Sequence, residues 1–173
     1  MKPFLRQGDI FFVSQPSVLG SVINWAQRLL SSDNVARYNH SGIIIDDKGT
    51  TFEALWRAES HNFFERYDGK QVLIARMITP KRKIRAAVKR VVMEDAGNFY
   101  PVHRFIYLIA PPLAKYTGTD RSVCSEISAK TAYYAGVRHR YFQGTTPDKL
   151  VDEVRHWTGA YSLPFEGVTR QLS

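Results

Sequence analysis

The chain has 173 residues, 44% hydrophobic and 23% charged, a balance that excludes global disorder and allows one domain with a sizeable core. Its net charge of +8 favours anionic partners: nucleic acid, anionic lipid or an anionic cell-wall polymer. A single cysteine, Cys124, excludes an intramolecular disulfide and a cysteine-based zinc site.

The first predicted element is "GDIFFV", a short buried strand after Gly8-Asp9. Residues 17–30 carry Val18, Val22, Trp25, Ala26, Leu29 and Leu30 at helical spacing, with Ser17 as N-cap. Asn39 to Asp46 reads as a strand, "DDKG" as a turn, and "TTFEALW" as the returning strand. "KQVLIARMI" reads as a third strand of this sheet. Residues 81–96 form a helix with Ile84, Ala87, Val88, Val91 and Val92 inward, basic residues outward, and Gly97 placed to end it. "VHRFIYLIA" reads as a short helix stopped by Pro111-Pro112. Residues 122–135 read as a helix closed by Gly136, and "TPDKLVDEVRHW" as a helix with Thr146 at the N-cap and Pro147 at its first position. The tail, residues 159–173, carries no legible element.

These elements predict an α+β fold, a small antiparallel sheet packed against helices, rather than a repeating βαβ array. With no internal repeat or linker tract, residues 1–173 read as one domain whose core spans about residues 8–155. No apolar run approaches the roughly 20 residues that span a bilayer. The start has no signal-peptide pattern, so a cytoplasmic location is expected unless another route exports the chain.

The hairpin carries the first chemical expectation. With a loop of two residues (Asp47 and Lys48) or four (Asp46 to Gly49), His40 lies opposite Leu55 and Gly42 opposite Glu53. His40 and Glu53 then become diagonal neighbours on one face, roughly 7 Å or less between Cβ atoms. A loop of three or five residues would put them on opposite faces. A thiol needs a base to react near neutral pH, and the base needs a group that holds its ring. Cys124 lies two residues after Ser122, at the predicted start of a helix, where partial positive charge and unpaired N–H groups favour a thiolate and can hold an oxyanion. Each residue also has a plainer reading: His40 as a strand-edge ring, Glu53 on a solvated face, Cys124 as a small core residue. The combination points to a nucleophile, a base and an orienting carboxylate.

"GDIFF", "YNHSGIII" followed by "TFEAL", and "VCSEISAKTAYYAG" with "TPDKL" behind it resemble the circularly permuted NlpC-type cysteine peptidase and amidase family. The resemblance is to its YiiX-like branch, which shares a papain-like fold with lecithin–retinol acyltransferase, and it covers about residues 8–155. It implies a permuted papain-like fold, with Cys124 as nucleophile, His40 as general base and then acid, and Glu53 as the residue orienting His40. It also implies Tyr100, three residues after Gly97, as an active-site residue. Pro101 follows where relatives carry a small polar residue, and a core aromatic is the alternative for Tyr100. No cofactor is implied.

His61, His103, His139 and His156 are competing bases, none with a carboxylate partner that simple pairing places. Their spacing matches no metal motif. His139 lies in "RHR", read as a solvated basic turn; His103 is near Tyr100. The basic helix face at residues 80–90 reads as solvated surface. No nucleic-acid module accompanies it, so an anionic wall or lipid surface, not nucleic acid, is the expected partner. The expected function is a thiol hydrolase cleaving an amide or ester through an acyl-enzyme, with a cell-wall peptide amide as substrate. The alternatives are a lipid acyl hydrolase or acyltransferase, and a non-catalytic module that binds an anionic ligand.

Overall fold

The computed structural model describes residues 5–14, 38–54, 57–98, 124–143, 145–154 and 160–163. In chain order these residues form β1 (Ile10–Val13), β2 (His40–Ile44), β3 (Thr50–Ala54), β4 (Ala58–Asn62), α1 (Phe63–Arg66), β5 (Val72–Met77), α2 (Lys81–Asp95), α3 (Cys124–Tyr134), α4 (Pro147–Val154) and β6 (Ala160–Leu163). The strands make one sheet in the order β4-β3-β2-β1-β5-β6, every neighbouring pair antiparallel. The fold is α+β, as the sequence predicts.

Asp46 shapes the hairpin on which the rest depends. Its Oδ1 accepts from the Lys48 and Thr50 amides at 2.9 Å each, and its Oδ2 accepts from the Thr50 hydroxyl at 2.6 Å. Gly49 closes the turn at φ +88°, a conformation that costs other residues strain. Ile45 N–H donates to Thr50 O at 2.8 Å, so the loop is the four residues Asp46 to Gly49. The register that follows, Ile43↔Phe52 and Ile44↔Thr51, is the one expected.

Alternation along the strands divides the buried residues into two cores. Ile10, Phe12, Ile43, Phe52, Ala54, Ala75 and Met77 pack with residues of α2, α3 and α4. Phe11, Val13, Ile44, Val72 and Ile74 face the other way and pack with Phe63 and Tyr67. The inward stripe of α2 is as expected: Ala87, Val88 and Val91 are buried, and Ile84 and Val92 pack against them half-buried. Its lysines and arginines are exposed. Gly136 ends α3 at φ +74°. Thr146 caps α4, accepting from Lys149 N–H through its hydroxyl at 3.4 Å.

Several elements differ from the sequence reading. The segment "KQVLIARMI" does hold a strand, β5, but β4 precedes it in the chain, and β5 pairs with β1 through Ile10↔Ala75. Strand β4 was missed because it is an edge strand with a mostly exposed surface, and "AESHN" lacks apolar alternation. Strand β6 lies in the tail that carried no legible element, paired with β5 through Ala75↔Ser162. "RHR" is not a solvated turn throughout. Arg138 is buried, its Nε and Nη2 donating to the two Glu153 oxygens at 2.7 and 2.9 Å, while His139 is exposed. The helices expected at residues 17–30 and 102–110 lie outside the described residues.

Candidate active site

His40 opens β2, and its Nε2–H donates to Glu53 Oε2 at 2.6 Å. The hairpin register makes this possible: both side chains lie on the sheet face that carries Phe11 and Val13. Between them in the register sits Gly42. A Cβ there would come within 2.6 Å of the Phe11 ring and 2.9 Å of Glu53 Cβ, so only glycine leaves room for this diagonal contact.

Cys124 opens α3 in the helical layer, near enough to His40 to help raise its pKa. Helix α3 is held against β2 by the Ser128 hydroxyl, which donates to Ser41 Oγ at 3.2 Å one residue beyond His40. The Ser125 hydroxyl ties the same helix to the segment before α4, donating to Thr145 O at 2.5 Å. Cys124 is 3% exposed, so the core reading and the contact with His40 both hold for it.

Glu53 is fully buried and is not on a solvated face. Besides His40, its Oε2 accepts from the Tyr67 hydroxyl in a short hydrogen bond, and its Oε1 accepts from the Thr51 hydroxyl at 2.8 Å. Arg66 Nε lies 3.8 Å from Oε1. A buried carboxylate is costly unless such donors surround it. Burial pushes Glu53 up, but His40, Tyr67 and Thr51 together hold it below the ordinary carboxylate range. Burial would likewise push His40 below 6.5. Hydrogen bonds to Cys124 and Glu53, with the negative charge each bears when ionised, outweigh it and raise His40 to about 9. The shift favours the protonated ring, which faces the Glu53 carboxylate through Nε2.

The structure thus brings together three of the expected site residues, Cys124, His40 and Glu53. The fourth, Tyr100, lies outside the described residues, as do His103 and His156. His61 has a carboxylate neighbour that pairing arithmetic missed: Glu59 Oε1 is 3.5 Å from its Nε2, two residues back along β4. Tyr67 and Thr51 were missed too. Thr51 was within reach of the period-two rule, since it shares a strand face with Glu53 two residues on; Tyr67 had no local signal.

No family model matches the chain, and no curated protein matches it. Among solved structures, it is similar to the crystal structure of metalloprotein yiiX from Escherichia coli O157:H7, DUF1105. The TM-score is 0.63 at 14% identity, covering 92% of this chain and 97% of that one. The fold is YiiX-like. That neighbour is a metalloprotein. Among the described residues here, no three His, Cys, Asp or Glu side chains are grouped to hold a metal ion. The Glu53 oxygens are already taken by His40, Tyr67 and Thr51, so this donor set does not fit a resident metal. No helix among the described residues is long and apolar enough to cross a membrane.

Proposed function

We propose that the protein is a thiol hydrolase of the permuted papain-like type, related to NlpC-type amidases and lecithin–retinol acyltransferase. The observation that carries this reading is the His40 ring, held by Glu53 on one side and meeting Cys124 on the other. An imidazolium beside a sulfur favours the thiolate, which is the nucleophilic form. The thiolate attacks an amide or ester carbonyl, and the carbonyl oxygen becomes an oxyanion. His40 gives its proton to the leaving amine or alcohol as the tetrahedral intermediate collapses to an acyl-enzyme. Neutral His40 then takes a proton from water, which attacks the thioester and releases the acid. Backbone N–H groups at the start of α3, and Tyr100, are the groups proposed to face the oxyanion.

The sequence resemblance makes a cell-wall stem-peptide amide the proposed substrate class. The exposed lysines and arginines of α2 suit an approach to an anionic wall.

The single cysteine gives a clean test. The thiolate ultraviolet absorbance of the wild type, minus that of Cys124→Ala, reports one sulfur. The expected result is thiolate absorbance at pH 6 that His40→Ala removes, together with hydrolysis of stem-peptide amides that Cys124→Ala abolishes. A sulfur that ionises like free cysteine, with or without His40, would overturn the mechanism. Binding to wall fragments that falls steeply with salt, with no turnover and no effect of Cys124→Ser, would favour a non-catalytic binding module.

A further inference from the structure

The Glu53 carboxylate receives more than its ring partner requires. Tyr67 follows α1 directly, and its placement is built in stages. Asn62 caps α1, its side chain accepting from the Phe64 and Glu65 amides, and the Tyr67 N–H donates back to Phe63 O at 2.9 Å. The Tyr67 ring then lies 5.0 Å from Phe11 and 5.4 Å from Phe63, centroid to centroid, and is fully buried. That packing leaves the hydroxyl on Glu53 Oε2, the oxygen that also accepts from His40. Thr51 approaches from β3 itself and donates to the other oxygen.

We propose that Tyr67 and Thr51 are positioning residues that hold Glu53 as an acceptor carboxylate aimed at His40 Nε2. Their role in turnover rests on the thiol-hydrolase reading; the wiring itself does not. The physical reason is the number of donors. A fully buried carboxylate with a single partner can lower its cost by taking up a proton and rotating away. With Tyr67 on Oε2 and Thr51 on Oε1, both oxygens are pinned, and a proton on either would displace a donor. The neutral hydroxyls achieve this without competing with His40 as cations. The charged or titratable groups near the pair are Cys124 from α3, Arg66 from α1, which also lies near His61 Nδ1 at 3.5 Å, and Glu59, the register partner of Glu53 on β4. Phe11 on β1 contributes only an apolar ring, 6.3 Å from His40 by centroid.

The test is the ring titration of His40 by NMR in the full chain, with thermal melting alongside. Wild type should titrate near the value of about 9 set by its partners. In Tyr67→Phe the midpoint should move down from about 9 toward the ordinary 6.5. Thr51→Val should move it the same way, and Thr51→Ser should restore it, which a merely packing role for Thr51 would not do. If Tyr67→Phe does not fold, the Thr51 pair carries the test alone. A His40 midpoint unchanged in Tyr67→Phe and Thr51→Val overturns the proposal. A wild type without thiolate at pH 6, but with His40 still responding to Tyr67→Phe, would overturn the enzyme reading and leave the positioning intact.

Discussion

Two charge clusters lie on opposite sides of the sheet, and they are built differently. On one side Glu53 holds His40, with Tyr67 and Thr51 behind it. In the helical layer on the other side, Lys130 Nζ donates to Asp95 Oδ2 and Glu94 Oε2 at 2.8 Å each. Arg90 Nε donates to Glu94 Oε1 at 2.7 Å, and its guanidinium lies 3.9 Å from the centre of the Tyr134 ring. The second cluster joins α2 to α3 with groups whose charges are fixed around neutrality. Burial pushes Glu94 up, but Arg90 and Lys130 bring it down to about 2, and the two carboxylates push Lys130 further up. The first cluster contains a ring whose charge can change within the working range and, in the proposed mechanism, a sulfur that uses the change. Buried charge alone therefore does not mark a reactive site. What marks it is a group able to gain and lose a proton beside one able to form a covalent bond.

Matched substitutions can break or sharpen that contrast. The largest effect is expected for Cys124→Ala, a loss of turnover of about a thousandfold or more, with the melting transition little changed. Measurable hydrolysis by purified Cys124→Ala would erase the distinction between the clusters. Next, Lys130→Ala should cost about 3 kcal/mol in a urea titration, because Asp95 is left buried and unpaired. It should leave the His40 titration where it was; a shift would mean the clusters are coupled. Gly42→Ala should cost about 2 kcal/mol by overpacking against Phe11 and Glu53, and it should disturb the His40 resonance as well.

The pH dependence separates the clusters further. His40 has its folded value raised from 6.5 to about 9. Its contribution to stability is therefore fully present below 6.5 and is lost as pH rises through 9. Glu94 is lowered from 4.5 to about 2, so its contribution is present above 4.5 and is lost as pH falls toward 2. Urea midpoints should decline on the alkaline side in wild type and not in His40→Ala. The smallest effect belongs to Arg90→Ala, below about 1 kcal/mol, since Arg90 is largely exposed and its pair with Glu94 is a surface i,i+4 contact.

How much of this was legible depends on the distance over which each residue acts. The His40–Glu53 pair followed from counting across one loop, because Asp46 and Gly49 are turn chemistry and an even loop fixes which side chains share a face. The α2 stripe and the α4 start followed from periodicity and from Thr146-Pro147. Cys124 could be placed on a helix, but its meeting with His40 is tertiary and came only from a family resemblance. Tyr67 was out of reach for a similar reason: its hydroxyl finds Glu53 only once α1 has packed Phe63 against Phe11. Strands β4 and β6 sit at the two edges of the sheet, where the pressure for apolar alternation is weakest.

The order of the parts along the chain has a consequence for biosynthesis. His40 and Glu53 are 13 positions apart and share a hairpin, whereas Ser128 grips Ser41 across 87 positions. Short loops close early and long-range contacts close late. A nascent polypeptide can form the imidazole–carboxylate couple while still tethered to the ribosome, but its sulfur arrives only when α3 docks. Under the proposed mechanism, this order of assembly keeps the unfinished chain chemically silent.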